Sequence, residues 1–194
     1  MQVIIAEYGG FCRGVQRAVD TAMTVDPVNT YILGELIHNP TVTKQVSARG
    51  IVIVDSVSQV PEGATLILRS HGVAEKVYRD CAAKNIKIID CTCPFVRHTQ
   101  KIVASLAKTD KTIVIVGEKT HPEVVGLNGW CGENAVIIDS PDFSDFSVFE
   151  GKNVAIVSQT TFSEEKFEKI IKNIKKACKK TVENFKTICY TTKE

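Results

Sequence analysis

A short pattern of residues occurs twice in the chain and constrains its fold more than any other feature. Residues 34–38, Gly-Glu-Leu-Ile-His, return 83 residues later as residues 117–121, Gly-Glu-Lys-Thr-His. An Asp-Ser pair and then a Glu-Gly pair follow both copies, at residues 55–56 and 62–63 and again at 139–140 and 150–151. Because self-similarity at a fixed spacing is typical of duplicated supersecondary units, the sequence predicts two copies of one folding unit.

A cysteine opens each copy of this unit. Cys12 opens the first copy, and Cys93, 81 residues later, opens the second copy at the equivalent position. After a further 96 residues Cys189 again follows an apolar run, where a third copy would begin. We therefore predict two lobes, at residues 1–93 and 94–188, of a three-lobed architecture with quasi-threefold symmetry. Residues 189–194 are interpreted as the stub of a third lobe.

The alternation of two kinds of segment predicts the fold class. Short runs of β-branched residues alternate with amphipathic stretches at helical spacing. The predicted strands are residues 3–5, 51–54, 66–68, 86–89, 112–116, 136–138 and 154–157, and the predicted helices are residues 13–25, 74–84, 95–107 and 164–180. This order is typical of an α/β fold with mostly parallel sheets.

Composition excludes several classes of protein. The net charge of +2, with both signs interspersed, provides no basic stripe for a nucleic acid. No apolar run approaches the length of a membrane span and no signal peptide is recognisable, so we expect a cytoplasmic protein. An odd count of seven cysteines, without Cys-x-x-Cys pairs, argues against both a disulfide framework and a zinc knuckle.

Seven residues with reactive side chains are predicted to meet at one end of the sheets. Ligands of open α/β sheets bind beyond the carboxyl ends of the strands, which is where the repeat places these residues. They are Cys12, His38, His71, Cys93, His121, Thr160 and Cys189. Three thiolates can hold three irons of a cubane cluster and leave the fourth iron open, whereas zinc would take a fourth protein ligand or a water. The spacing alone leaves both metals possible.

The histidines and their neighbours suggest an anionic ligand and proton transfer. Imidazoles beside helix N-termini form a receptacle for phosphate oxygens. Glu123, two residues after His121, could relay protons to a substrate, or it could only stabilise a helix dipole. The Thr160 hydroxyl could contact a ligand, or the segment could simply lead into the Ser163 helix cap.

Ordered motifs along the whole chain resemble one family, the LytB/IspH family of 4-hydroxy-3-methylbut-2-enyl diphosphate reductases. The matching segments are Gly-Phe-Cys-Arg-Gly-Val at 10–15, His-Asn at 38–39, Ser-His-Gly-Val at 70–73, Thr-Cys-Pro at 92–94, His-Pro-Glu-Val at 121–124, Gln-Thr-Thr at 159–161 and Ile-Cys-Tyr at 188–190. The resemblance implies a 4Fe-4S cluster with one open iron, and so decides against zinc. It also implies a two-electron reductive dehydration that yields isopentenyl and dimethylallyl diphosphate in non-mevalonate isoprenoid synthesis, with ferredoxin or flavodoxin as the electron donor.

The resemblance also assigns roles to individual residues. It gives Cys12, Cys93 and Cys189 as the cluster ligands. Catalysis is assigned to Glu123, His121 and Thr160, and substrate binding to His38, His71, His121, Thr160 and Thr192.

One departure from the family pattern bears on activity. The family continues well past Cys189 and supplies a Ser-x-Asn segment for the diphosphate, which the chain does not contain. We therefore expect little or no turnover from this chain alone, as a shortened form of the reductase. The alternatives are a non-catalytic iron-sulfur or redox-sensing binding module derived from the family, or a thiol or zinc hydrolase if metal analysis were to find zinc without iron.

Overall fold

The computed structural model describes residues 10–192, apart from the side chain of Thr192, and it has a mixed α/β architecture. The predicted strand at residues 3–5 lies outside the described residues. The first half contains α1 (Arg13–Thr24), β1 (Thr30–Leu33), α2 (Pro40–Ala48), β2 (Val52–Val54), β3 (Thr65–Leu68), α3 (Glu75–Ala83) and β4 (Lys87–Asp90). The second half contains α4 (Pro94–Leu106), β5 (Thr112–Val116), α5 (Pro122–Gly129), β6 (Val136–Ile138), β7 (Val154–Ser158), α6 (Glu164–Ala177) and β8 (Val182–Asn184).

The eight strands of the described residues form two parallel sheets with the same topology. Their strand orders are β2-β1-β3-β4 and β6-β5-β7-β8, so each strand of the first sheet has a counterpart in the second. The ends of the central strands are in register with their neighbours, as the pairing of Leu33 with Val54 and of Val116 with Ile138 shows. The predicted duplication and the α/β class with parallel sheets are confirmed. The lobe boundaries at residues 93 and 188 stay predictions.

Each sheet is buried on both faces, which explains the near-continuous apolar runs of its central strands. In the first sheet Ile32 and Ile67 face α1 and α2, while Leu66 and Leu68 face α3. In the second sheet alternate residues pack against α6 on one face and against α4 and α5 on the other. The helices therefore cover the faces of the sheets, and the carboxyl ends of the strands remain available for a site.

Four elements were absent from the predicted set, and one helix ends three residues earlier than predicted. All four are short: strands β1 and β8 have four and three residues, and helices α2 and α5 have nine and eight. Helix α5 contains two glycines, which lower helix propensity, so its pattern is weak in the sequence. Helix α6 ends at Ala177 rather than at residue 180, because Cys178 adopts an extended conformation.

The two halves contact each other through α4 and α5. The Val73 carbonyl, which lies in the first half, accepts hydrogen bonds from Trp130 Nε1 at 2.9 Å and from Gln100 Nε2 at 3.2 Å. Gly129 lies so close to Ala74 that a Cβ atom at position 129 would overlap it. Glycine at the end of α5 therefore allows the close approach that brings the two sets of strand ends together. No helix in the described part of the chain is long and apolar enough to cross a membrane.

Candidate active site

Three histidines form a compact cluster where the two halves meet. The ring centroids of His38 and His71 are 4.5 Å apart, and His121 lies 5.6 Å from the first and 5.4 Å from the second. One ring nitrogen of each lies within 4.8 Å of those of the other two. These residues follow β1, β3 and β5, so the strand-end positions predicted by the repeat do converge.

Helix N-termini hold two of these histidines in place. The Asn39 side chain caps α2 by accepting the backbone N–H groups of Thr41 and Val42, which places His38 directly before that helix. His121 is itself the N-cap of α5, since its Nδ1 atom accepts the Glu123 N–H at 3.1 Å. An acceptor at Nδ1 leaves the proton of a neutral imidazole on Nε2, where it can be donated to a ligand.

His71 lies in a tight turn and is held neutral. Its turn closes with a 3.1 Å hydrogen bond from the Gly72 N–H to the Arg69 carbonyl, and Gly72 has a positive φ of 72°. Burial lowers the pKa of His71 to about 3, with further contributions from His38, His121 and Arg69. Burial also lowers the pKa of His121. At neutral pH His71 therefore acts as a hydrogen-bonding group rather than as a cation.

Glu123 and Thr160 form a buried pair beside the histidines. The carboxylate of Glu123 accepts the Thr160 backbone N–H at 2.7 Å and the Thr160 hydroxyl at 2.8 Å. Glu123 is 2% exposed, and this burial raises its pKa to about 7 against the opposing effect of the two hydrogen bonds. A carboxyl group that titrates near neutral pH suits general acid catalysis.

The three predicted cysteine ligands line the same cavity, and none of them forms a disulfide. Cys12 and Cys93 are the N-cap residues of α1 and α4, and neither side chain makes a capping hydrogen bond. Cys189 is buried, its N–H donates to the Thr160 carbonyl at 2.8 Å, and its Sγ lies 2.8 Å from the Thr191 hydroxyl. Burial raises the pKa of Cys93, as do the neighbouring thiols, while the Phe95 and Val96 amides act in the opposite direction.

The histidines, the carboxyl group and the cysteines line one cavity of about 270 Å³. The predicted site residues that line it are Cys12, His38, His71, Cys93, His121, Glu123, Thr160 and Cys189. A second cavity, of about 600 Å³, also reaches Cys12, Cys93 and Cys189. The thiols therefore separate a pocket that carries the histidines and the carboxyl group from a second opening on their other side.

Sequence reasoning missed part of the lining and could not place one residue. The additional lining residues are Val15, Ser70, Phe95, Val96, Thr161 and Thr191. Ser70 and Thr161 lie within motifs that were recognised, whereas the apolar residues carry no chemical signal in the sequence. The predicted substrate contact of Thr192 depends on a side chain outside the described residues.

Comparisons of the sequence with known proteins identify one family. The family model described as LytB protein matches residues 3–194. A 4-hydroxy-3-methylbut-2-enyl diphosphate reductase of Caldanaerobacter subterraneus subsp. tengcongensis is 41% identical over 200 residues, which cover 100% of this chain and 69% of that protein. The corresponding protein of Clostridioides difficile is 35% identical over 197 residues, which cover 100% of this chain and 70% of that protein.

Two solved structures are similar in fold. One, an (E)-4-hydroxy-3-methyl-but-2-enyl diphosphate reductase described as the terminal enzyme of the non-mevalonate pathway, superposes with a TM-score of 0.80 at 34% identity. The superposition includes 98% of this chain and 69% of that structure's chain. The other, the Plasmodium falciparum reductase, has a TM-score of 0.83 at 28% identity, with 95% of this chain covering 59% of it. The chain belongs to the LytB family.

Proposed function

We propose that this protein reduces 4-hydroxy-3-methylbut-2-enyl diphosphate to isopentenyl and dimethylallyl diphosphate with a 4Fe-4S cluster held by Cys12, Cys93 and Cys189. The observation that carries the proposal is the convergence on one cavity of three cysteines outside disulfides, three imidazoles and a buried, protonatable carboxyl group. The reductase names of the family relatives support the same chemistry. We expect a ferredoxin or flavodoxin as electron donor and a cytoplasmic location.

The donor set fits an iron-sulfur cluster better than a single metal ion. Three thiolates of one tetrahedral zinc would lie about 3.8 Å apart, because the Zn–S bond is about 2.3 Å long. Among the described residues the group placed to hold a single metal ion is the histidine trio and not the three cysteines. Three cysteine ligands without a fourth suit a cubane cluster that keeps one iron open. When bound, such a cluster supplies electrons and an open iron that acts as a Lewis acid.

The histidine cluster is suited to the diphosphate group. His38 and His121 adjoin the N-termini of α2 and α5, where backbone N–H groups and the helix dipole favour an anion. The Nε2–H of His121 can donate to a phosphate oxygen, because its Nδ1 already accepts a backbone proton. These groups would fix one end of the substrate and leave its allylic end beside the cysteines.

The pair of Glu123 and Thr160 is suited to proton delivery. The reaction replaces a C–O bond with a C–H bond and releases water, so it consumes two electrons and two protons. With a pKa of about 7, Glu123 can hold one of these protons at neutral pH. The Thr160 hydroxyl contacts that carboxyl group at 2.8 Å and lines the same cavity, so it can pass the proton to the leaving oxygen.

Anaerobic reconstitution with iron and sulfide tests the proposal. Wild-type protein should bind about four irons per chain, as expected for one cubane cluster, with the matching visible and electron paramagnetic resonance spectra. Cys12→Ser, Cys93→Ser and Cys189→Ser should each lose the cluster. Cys131→Ser and Cys178→Ser are the matched controls, because both thiols are buried outside the cavity.

Assays with the allylic diphosphate then separate the functions. Turnover with a chemical reductant would support the reductase and would contradict the expectation that this chain alone is inactive. A stable cluster without binding of the allylic diphosphate would favour the redox-sensing module. Zinc without iron or sulfide would remove the cluster proposal.

A further inference from the structure

Arg69 is a half-buried cation that has no counter-ion among the described residues. Its Nε atom is buried and has no hydrogen-bond partner. None of the ion pairs among the described residues involves Arg69. Burial lowers its pKa, yet a guanidinium group remains protonated at neutral pH. A partly desolvated cation without a counter-ion is costly, so its position needs a functional explanation.

Arg69 is located behind the histidine cluster. It directly follows β3, and its carbonyl closes the turn that carries His71. Its Nη1 atom lies against Gly34 at the end of β1, where a Cβ atom would stand 2.6 Å away. Its charge acts on both His71 and His121, whose pKa values it helps to lower. Arg69 is absent from the residues that line the 270 Å³ cavity and lines a neighbouring one of about 250 Å³.

Neutral imidazoles alone leave the charge of a diphosphate uncompensated. His71 is held neutral by burial, and the pKa of His121 is lowered in the same way. Such rings donate hydrogen bonds but contribute no net positive charge. A polyanion in a partly desolvated pocket needs a cation within a few ångströms to offset its loss of water.

We propose that Arg69 is the fixed positive charge of the anion site, a positioning residue that lies behind the three histidines and attracts the diphosphate without contacting it. This inference rests on the proposed function, because it assigns the diphosphate to the histidine cluster. Asp55 lines the same small cavity as Arg69, but it is exposed and forms no ion pair with it among the described residues. The charge of Arg69 is therefore available to the ligand.

Calorimetric titration with inorganic pyrophosphate at about pH 8 tests this inference. Arg69→Met should bind about tenfold more weakly than wild type, the effect of one unit charge at several ångströms. Arg69→Lys should stay within about threefold of wild type, because the effect depends on charge rather than on bidentate geometry. Affinity should fall between about 50 and 300 mM salt in wild type, and this fall should be smaller in Arg69→Met.

Arg49→Met is the matched control. Arg49 also has a buried Nε without a partner, but it lies at the opposite end of α2 from His38. Its replacement should leave pyrophosphate affinity unchanged. Unfolding curves of both methionine variants show whether each is folded, and Arg69→Gln replaces Arg69→Met if the latter is not.

The outcomes separate this inference from the function on which it rests. If wild type binds pyrophosphate and a folded neutral variant binds equally well, Arg69 has no such role and the histidine site stands. Equal weakening by methionine and lysine would show that shape, not charge, matters, and would also overturn the inference. If wild type does not bind pyrophosphate, both the diphosphate site and the role of Arg69 are wrong. Should no neutral variant fold, wild-type affinity that does not change with salt would still overturn it.

Discussion

Gly14 lies against Cys93, so closely that a Cβ atom at position 14 would stand 2.7 Å from the cysteine sulfur. Gly14 belongs to the first turn of α1, the helix that begins after Cys12. The absence of a side chain there lets two of the proposed cluster ligands approach each other. The residue after Arg13 is therefore part of the architecture of the thiol site, although it carries no functional group.

Gly14→Ala is expected to impair cluster assembly without destabilising the fold. A methyl group would displace the Cys93 sulfur, while alanine is favoured over glycine in a helix by about 0.5–1 kcal/mol. Iron and sulfide counts after reconstitution should fall, and the urea midpoint should not. Gly126→Ala is the control, because its Cβ would make only ordinary contacts at 3.5 Å. Normal iron content in Gly14→Ala would contradict the prediction.

Glu123→Gln is expected to remove a pH dependence of stability. Because the folded pKa of Glu123 is raised above its ordinary value, its contribution to stability is fully present below pH 4.5 and is lost as pH rises through about 7. The loss reaches about 3 kcal/mol, an order-of-magnitude figure from the change in pKa. Urea unfolding of both proteins from pH 4.5 to 8 measures the difference. A difference that does not vary with pH would show that the carboxyl group does not titrate there.

Thr160→Val is expected to raise the pKa of Glu123 further. The Thr160 hydroxyl donates to the carboxylate and so favours its charged form, which valine cannot do. Infrared or carbon NMR titration of the carboxyl group reports this change directly. Thr160→Ser retains a hydroxyl and should stay near the wild-type value. A lower pKa in Thr160→Val than in wild type would disagree with the geometry.

The imidazole of His71 is expected to remain neutral between pH 5 and 8. Burial and the neighbouring positive charges hold its pKa at about 3. Proton NMR of the imidazole signals, assigned with His71→Asn, should show one signal without a midpoint in that range. Saturating pyrophosphate should raise its pKa, because an anion favours the protonated ring. A midpoint between pH 5 and 8 in the free protein would contradict the described burial.

Gly129→Ala is expected to weaken the contact between the two halves. Its methyl group would overlap Ala74, and a close backbone contact can relieve the overlap only by separating α5 from the loop after β3. The expected cost is about 1–3 kcal/mol, the range for overpacking a tight contact. Thermal or urea unfolding measures it, with Gly126→Ala as the control on the same helix. Unchanged stability would show that the contact is easily adjusted.

The duplication made part of the fold and of the candidate site predictable from the sequence. Residues that recur at equal positions, such as His38 and His121, could be assigned to strand ends because two copies of a pattern are far stronger evidence than one. Strand β8 was missed because Val-Glu-Asn has no alternation and pairs only with β7. Arg69 was missed because nothing in the sequence distinguishes a half-buried arginine without a counter-ion from an exposed one. Its significance depends on burial and on contacts made by the folded chain.

The shared topology of the two sheets has a consequence for how the chemistry could diversify. The Cys93 N–H donates to the Ser70 carbonyl just as the Cys189 N–H donates to the Thr160 carbonyl, so Ser70 in the first copy stands where Thr160 stands in the second. Both residues line the same cavity. A substitution in one copy therefore alters one wall and leaves the other unchanged. In the proposed site the first half supplies two of the three histidines, whereas the second half supplies the third histidine and the proton donor Glu123. Two copies of one topology can therefore carry different chemistry on the two walls of a single pocket.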